Sequence, residues 1–258
     1  MRCYSRPMPS FLSDGIEIAY DVSGDGRPVL LIHGFASSGA INWLNTGWVA
    51  ALNAAGYQTI AMDNRGHGHS RKLYDSRLYL AHQMADDAAN LLTHLGLEQA
   101  PVIGFSMGAR IAAFLMLRHP ARVPHAVWGG MGANLMSGMD DSEEIAAALT
   151  ADSLDDVTGE VGRRFRIFAD HSKADRAALA ACVVASREPM PAAEVRRITA
   201  PVLVAVGEHD EMAGGLEPLV ALLPAGEGFV IPKRNHMLST GDPKFKAAAI
   251  RFLDARRV

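Results

Sequence analysis

The stretch from Pro101 to Leu117 reads PVIGFSMGARIAAFLML and decides the fold of this chain. Its first part is a short apolar run, which is typical of a strand covered on both faces. Its second part is apolar nearly all round and halts before Pro120, which predicts a buried helix. Between the two parts lies the motif Gly104-Phe105-Ser106-Met107-Gly108. We therefore predict that the serine stands on a sharp, strained turn from strand to helix.

The same pairing of an apolar run with a helical pattern recurs along the chain. Six apolar runs are predicted as strands: Val29–His33, Tyr57–Met62, Pro101–Phe105, Val123–Trp128, Pro201–Val206 and Gly228–Ile231. Helices are predicted over Met84–Leu95, over Met107–His119 and from an Asp242 cap followed by Pro243. This alternation predicts an α/β fold with a mostly parallel central sheet and helices on both faces.

The alternation breaks between about Gly130 and Pro191. No strand is predicted there, and the helical stretches include Ser142–Leu149 and Lys173–Ser186. We interpret this segment as a helical cap over residues 131–191, inserted into a core made of residues 1–130 and 192–258.

Composition and charge indicate a globular protein and argue against some classes of partner. The chain has 258 residues, 49% of them hydrophobic and 21% charged, which is typical of a globular protein. A net charge of -3 without a basic block argues against a nucleic-acid partner. Cys3 and Cys182 form no Cys-x-x-Cys motif, which favours a reducing compartment. Without a secretory signal or a membrane-length apolar stretch, a cytoplasmic protein without a membrane partner is expected. The oligomeric state stays open, a homodimer included.

A serine hydroxyl needs a base to become a nucleophile, and ten histidines compete for that role. His236 is the candidate, because it follows the last predicted strand and lies far downstream of Ser106. The acid that orients the base is expected in the loop after the strand Pro201–Val206. That loop offers three carboxylates, of which Asp210 is preferred and Glu211 is the main rival: Glu208, Asp210 and Glu211.

Five motifs in this order resemble the α/β-hydrolase superfamily: His33-Gly34-Phe35, Asp63-x-Arg65-Gly66-x-Gly68-x-Ser70, Gly104-x-Ser106-x-Gly108, Gly207-x-x-Asp210 and Asn235-His236. The likeness is closest to the esterase, enol-lactonase and cofactor-free haloperoxidase-like branches. It supports Asp210 as the acid and implies that the backbone N–H groups of Phe35 and Met107 form the oxyanion hole. It also implies no cofactor, a structural role for the turn that begins at Asp63, and a cap that roofs the site.

The expected function is that of a serine hydrolase acting on an ester, lactone or thioester of a small molecule. Relatives that act on epoxides or haloalkanes carry aspartate at the nucleophile position, so Ser106 argues against those two reactions. The same triad would also serve carbon–carbon bond hydrolysis, perhydrolysis or cleavage of an N-terminal prolyl peptide. A rival from another class is a protein that senses a small ligand without turning it over.

Two further sets of residues are candidates for substrate binding. An apolar set, where the cap leaves the sheet, is predicted to line the pocket, although methionines also fill cores: Trp128, Met131, Leu135, Met136 and Met139. An acidic set would hold an α-amino group in the peptidase alternative, but solvated charges at a helix N-terminus explain it as well: Asp140, Asp141, Glu143 and Glu144. Metal binding by His67, His69 and Asp63 is not expected, because no further ligands accompany them.

Overall fold

The computed structural model describes residues 8–138 and 141–256, and a single sheet forms its centre. Eight strands build this sheet: β1 (Ser10–Ser13), β2 (Ile16–Ser23), β3 (Arg27–Ile32), β4 (Tyr57–Met62), β5 (Val102–Phe105), β6 (Ala126–Gly129), β7 (Val202–Gly207) and β8 (Gly226–Ile231). Their order across the sheet is β1-β2-β4-β3-β5-β6-β7-β8. β1 pairs antiparallel with β2, and β2 pairs antiparallel with β4. All the pairs from β4 to β8 are parallel. The predicted α/β class and mostly parallel sheet are confirmed.

Helices cover both faces of the sheet. The α-helices are α1 (Trp48–Ala54), α2 (Ala81–His94), α3 (Met107–Arg118), α4 (Asn134–Ser137), α5 (Ser142–Thr150), α6 (Glu160–Ser172), α7 (Arg176–Ala185), α8 (Ala192–Val195), α9 (Leu216–Val220), α10 (His236–Ser239) and α11 (Pro243–Asp254). A π-helical turn spans Ala40–Leu44, and 3-10 turns span Ser76–Leu78, Pro120–Arg122 and Leu154–Asp156. Buried side chains of α1 and α11 pack on one face, whereas those of α2, α3 and α9 pack on the other.

Local sequence signals explain most element ends. The Asp242 carboxylate accepts hydrogen bonds from the N–H groups of Lys244 and Phe245, which confirms the predicted cap of α11. The strand predicted over Val123–Trp128 is wrong at its start, since β6 begins only at Ala126. Pro124 has no N–H to donate to a neighbouring strand, so pairing begins after it.

The antiparallel hairpin at the amino end of the sheet was not predicted. It turns through Asp14 and Gly15, whose φ angles are 49° and 80°. Two successive positive φ angles are the signature of the tight turn that Asp-Gly favours between paired strands. The hairpin extends the parallel sheet by two strands beyond β4.

In its described residues, the segment between β6 and β7 contains helices as its only regular elements. It carries α4 to α8 and forms a small apolar core of its own, in which Ile145 and Leu149 of α5 meet Leu179 and Val183 of α7. The division into a core and a cap at residues 131 and 191 stays a prediction. Within residues 8–138 and 141–256, no helix combines the length and the apolar character needed to cross a bilayer.

A buried ion pair anchors the loop that follows β4. The Arg65 guanidinium donates two hydrogen bonds of 2.7 Å to the Asp87 carboxylate and a third to the Leu78 carbonyl oxygen. The two charged side chains are only 4% and 0% exposed. Ser13 adds a hydrogen bond of 2.6 Å to Asp87. Because the carboxylate is saturated with donors, the charges are compensated inside the protein.

We predict that Asp87→Ala lowers the free energy of unfolding by about 3–5 kcal/mol, because it leaves the Arg65 charge buried without a partner. Urea denaturation followed by circular dichroism measures this loss. Glu160→Ala is the control, since it breaks an exposed pair with Arg164 and should change stability by less than about 1 kcal/mol. Equal small losses in both variants would contradict the role assigned to the buried pair.

Candidate active site

Ser106 occupies a strained turn between β5 and α3. Its φ and ψ angles are 55° and -117°, a conformation that residues other than glycine rarely adopt. The turn is held on both sides: the Ser106 N–H donates to the Gly129 carbonyl at 2.8 Å, and its own carbonyl accepts from the N–H groups of Ala109 and Arg110. The predicted strand–turn–helix setting of this serine is therefore present.

The two glycines of the motif make this turn sterically feasible. A Cβ atom on Gly104 would lie 2.3 Å from the Gly108 carbonyl oxygen. A Cβ atom on Gly108 would lie 1.9 Å from the carbonyl oxygen of Ile32 in the neighbouring strand. Both distances are far below van der Waals contact, so α3 can approach the sheet this closely only without these side chains.

A continuous hydrogen-bond path joins Ser106, His236 and Asp210. The His236 Nε2 atom lies 3.0 Å from the Ser106 Oγ atom, and its Nδ1 atom lies 2.9 Å and 3.0 Å from the two Asp210 oxygens. A carboxylate can only accept, so Nδ1 carries the imidazole proton and Nε2 is left to accept the serine proton. The structure brings together the three residues that the sequence nominated for nucleophile, base and acid.

The Asp210 carboxylate is held rigidly. Its side chain is fully buried, and its Oδ1 atom also accepts from the N–H groups of Met212 and Ala213 at 3.0 Å each. The rival carboxylates point elsewhere: Glu208 accepts from the N–H of Lys233, and Glu211 is exposed. Asp210 is thus the carboxylate of this loop that contacts the imidazole.

Two backbone N–H groups beside Ser106 are unengaged. In the described part of the chain, no acceptor pairs with the N–H of Phe35 or that of Met107. Met107 is the first residue of α3, where the positive end of the helix dipole lies. The loop of Phe35 passes close by, because a Cβ atom on Gly34 would lie 3.4 Å from the Ser106 Cβ atom. The oxyanion-hole role expected for these two N–H groups stays a prediction.

Side chains from the helical segment between β6 and β7 contact both of these residues, and sequence reasoning did not identify these individual contacts. The Phe35 ring meets Phe165 of α6 edge to face, with the ring centroids 5.5 Å apart. The Met107 sulfur lies 3.9 Å from that of Cys182 in α7, and Cys182 is fully buried. These contacts join residues that are far apart in the chain, so no local sequence pattern predicts them.

Comparison with known proteins now places the chain in a family. A family model described as the alpha/beta hydrolase fold matches residues 27–166, just over half of the chain. The chain belongs to the α/β-hydrolase fold family. This family membership fits both the sheet order and the serine turn.

Three relatives of this α/β hydrolase carry informative names. Non-heme chloroperoxidase CPO-A1 of Kitasatospora aureofaciens is 41% identical over 41% of this chain and 37% of its own length. A 2-hydroxymuconate semialdehyde hydrolase of Pseudomonas sp. is 33% identical over 50% of this chain and 46% of its own length. The solved structure of Est816, described as an N-acyl homoserine lactone degrading enzyme, is 25% identical, covers 96% of this chain and 100% of its own, and has a TM-score of 0.73. The chain thus spans less than half the length of these curated relatives.

The apolar set predicted to line the pocket lies in or against the main core. Trp128 and Leu135 are fully buried, Met131 is 5% exposed and Met136 is partly buried. Their contact with a substrate stays a prediction, and Met139 lies outside the described residues. A surface groove of about 550 Å³ is lined by other residues and includes none of the three residues on the hydrogen-bond path described above.

The acidic set predicted for the peptidase alternative is largely engaged. Asp141 pairs with Arg187, and Glu144 accepts a hydrogen bond of 2.8 Å from the N–H of Gly162. Glu143 is exposed, and Asp140 lies outside the described residues, as does Cys3. Binding of an α-amino group by this set stays a prediction.

The structural role expected for the turn after β4 agrees with its contacts. The Asp63 carboxylate accepts from the N–H groups of Gly39 and His69, and a Cβ atom on Gly68 would lie 2.0 Å from it. His67 uses both ring nitrogens for backbone hydrogen bonds. Within residues 8–138 and 141–256, no three His, Cys, Asp or Glu side chains are grouped to hold a metal ion.

We predict that Gly108→Ala lowers the free energy of unfolding by about 3 kcal/mol, because its Cβ atom would meet backbone that cannot move aside. Chemical denaturation measures the loss. Gly241→Ala is the matched control, since its Cβ atom would make ordinary contact with Thr46 at 3.4 Å, and it should change stability by less than about 1 kcal/mol. A Gly108→Ala protein as stable as this control would show that α3 does not need its close approach to the sheet.

Proposed function

We propose that this α/β hydrolase is a serine hydrolase that cleaves a carboxylic ester, a lactone or a related acyl bond of a small molecule. One observation carries the proposal: the hydrogen-bond path from Asp210 through His236 ends on the Ser106 Oγ atom, beside two unengaged backbone N–H groups. A nucleophile, its base, an orienting acid and donors for an oxyanion are the parts that acyl transfer needs.

The first step forms an acyl-enzyme. The Ser106 Oγ atom attacks the substrate carbonyl carbon while its proton passes to the His236 Nε2 atom. The carbonyl oxygen becomes an oxyanion, which accepts hydrogen bonds from the N–H groups of Phe35 and Met107. Asp210 stabilises the imidazolium cation that forms. As the intermediate collapses, His236 returns the proton to the leaving alcohol or thiol.

The second step frees the enzyme. His236 takes a proton from water, whose oxygen attacks the acyl carbon, and a second oxyanion forms in the same position. Collapse of this intermediate breaks the bond to the Ser106 Oγ atom, which recovers its proton from His236. The product is a carboxylic acid, and the enzyme returns to its starting state.

The names of two of these relatives suggest candidate substrates. A lactone-degrading relative matches the chain over almost its whole length, which favours esters and lactones. The 2-hydroxymuconate semialdehyde hydrolase favours a second candidate, carbon–carbon bond hydrolysis by the same triad. Activity on a panel of esters, lactones and thioesters of graded acyl length, together with a vinylogous diketone, separates the two candidates. Binding without turnover of any of them would instead favour a ligand sensor.

We predict that Ser106→Ala lowers kcat for p-nitrophenyl acetate by a factor on the order of 10³ or more, because the nucleophile is lost. Release of p-nitrophenol measures turnover, and an unchanged melting temperature shows that the fold is intact. Ser23→Ala is the control, because it removes the hydroxyl of another, partly buried serine, which pairs with Thr59 near the start of β4, and it should keep the kcat of the wild type. Full activity of Ser106→Ala would overturn the proposed mechanism.

We predict that Asp210→Asn lowers kcat by a factor on the order of 10³–10⁴, because an amide facing Nδ1 no longer holds the imidazole in the required tautomer. The control is Glu211→Gln, the neighbouring carboxylate, which should keep its activity. Steady-state kinetics on the same ester compares the two. A larger loss in Glu211→Gln than in Asp210→Asn would transfer the role of the acid to Glu211.

A further inference from the structure

The loop from Gly34 to Gly39 has no regular structure, yet side chains from two other segments hold its backbone. The Gly34 N–H donates to the Asn42 Oδ1 atom at 3.0 Å. The Ala36 N–H donates to the His67 Nε2 atom at 3.2 Å. Phe35 lies between these two residues, and its N–H has no acceptor in the described residues. The loop thus offers one free donor between two that are occupied.

We propose that Asn42 and His67 are positioning residues for the oxyanion hole. Each accepts the N–H group adjacent to Phe35, and together they orient the peptide whose N–H is left for the substrate. This inference rests on the proposed function, because it gives these side chains a part in acyl transfer. Neither residue needs to touch the substrate to do so.

The hydrogen bonds of His67 specify its role as an acceptor. Its Nδ1 atom lies 2.9 Å from the Arg65 carbonyl oxygen, which requires the proton on Nδ1 and leaves Nε2 as an acceptor. Burial, together with the nearby His33, lowers the pKa of His67 to about 3. The ring is therefore neutral near neutral pH, and the Ala36 N–H keeps its acceptor.

Ala36 shows why this acceptor is needed. Its φ angle is 58°, a left-handed conformation that an alanine adopts at a cost of about 1–3 kcal/mol. The residue is buried against the small core of the cap. Such a conformation persists only where surrounding contacts impose it, and the hydrogen bond to His67 is one of those contacts.

Asn42 reaches the loop from a π-helical turn, Ala40–Leu44, in which the Asn45 N–H donates to the Ala40 carbonyl. Single π-turns are rare and are frequent at functional sites. Asn42 is 4% exposed and carries the acceptor for the Gly34 N–H. The two side chains thus come from two different segments, one that directly follows the loop in sequence and one that follows β4.

That second turn is itself a rigid support. Arg65 is fixed by Asp87, and the Asn64 N–H donates to the His33 Nε2 atom at 3.0 Å. The two loops therefore exchange hydrogen bonds through two imidazoles, that of His33 in one direction and that of His67 in the other. A displacement of the turn after β4 would therefore also displace the loop from Gly34 to Gly39.

The test compares His67→Leu, which has no acceptor, with His67→Gln, which keeps one. The matched control is His125→Leu, which removes another buried imidazole, 7% exposed and packed against Phe252. Two quantities are measured: kcat/KM for an ester, and the inhibition constant of an alkylboronic acid. The boronic acid accepts the Ser106 Oγ atom at boron while the serine proton passes to His236, so its tetrahedral adduct tests the oxyanion hole.

We expect His67→Leu to lower kcat/KM by about 10- to 100-fold through kcat, with KM within about twofold. This loss is smaller than the loss of about 10²–10³ in kcat that follows removal of a complete oxyanion donor, because the Phe35 N–H is displaced and not removed. The boronate inhibition constant should rise by the same factor, and His67→Gln should recover most of both. Asn42→Leu should show the same pattern and replaces His67→Leu if that variant does not fold. His125→Leu should leave both quantities unchanged.

The inference would be overturned if a folded His67→Leu or Asn42→Leu protein bound the boronate as tightly as the wild type, whatever the change in its stability. An equal loss in His125→Leu would also overturn it, because the effect would then follow from losing any buried imidazole. Failure of the proposed function looks different: the wild-type protein would neither hydrolyse an acyl substrate nor bind the boronate, and both proposals would fall together.

Discussion

The strained peptide at Ser106 is the constraint around which this site is arranged. A positive φ at a serine is unfavourable, and it is maintained because β5 fixes one side of the turn while α3 fixes the other. α3 can lie so close to the sheet because Gly104 and Gly108 have no side chains. The same geometry raises the hydroxyl above the sheet and places the Met107 N–H beside it. A single backbone conformation thus places the hydroxyl and the unengaged N–H group side by side, as the proposed mechanism requires.

The remaining groups reach Ser106 because the parallel strands end at one edge of the sheet. Loops after β3, β7 and β8 bring in Phe35, Asp210 and His236 respectively. Two backbone N–H groups donate to Asp210, and the buried imidazoles of His33 and His67 join the loop of Phe35 to the turn after β4 through hydrogen bonds. Preorganisation here consists of hydrogen bonds that are already made before a substrate arrives.

The helical segment between β6 and β7 adds a second apolar layer against these loops. Phe165 and Cys182 contact Phe35 and Met107, the residues that carry the two unengaged N–H groups. Ala36 and Phe35 also pack with the small core formed by α5, α6 and α7. The packing of this helical segment is therefore continuous with the residues that carry the two unengaged N–H groups.

Sequence alone determined the alternation of strands and helices, the serine turn, and the candidates His236 and Asp210. These follow from short-range rules: apolar runs, helix caps, glycines flanking a serine, and the order of motifs along the chain. It missed the hairpin at the amino end, although Asp14-Gly15 is a recognisable turn signal, and it began β6 too early by overlooking Pro124. Only the tertiary structure distinguished Asp210 from Glu211 by contact, and only it gave Asn42 and His67 their partners. Those contacts join residues that are far apart in the sequence, and no periodic pattern relates the two partners. They form only when the whole sheet has folded.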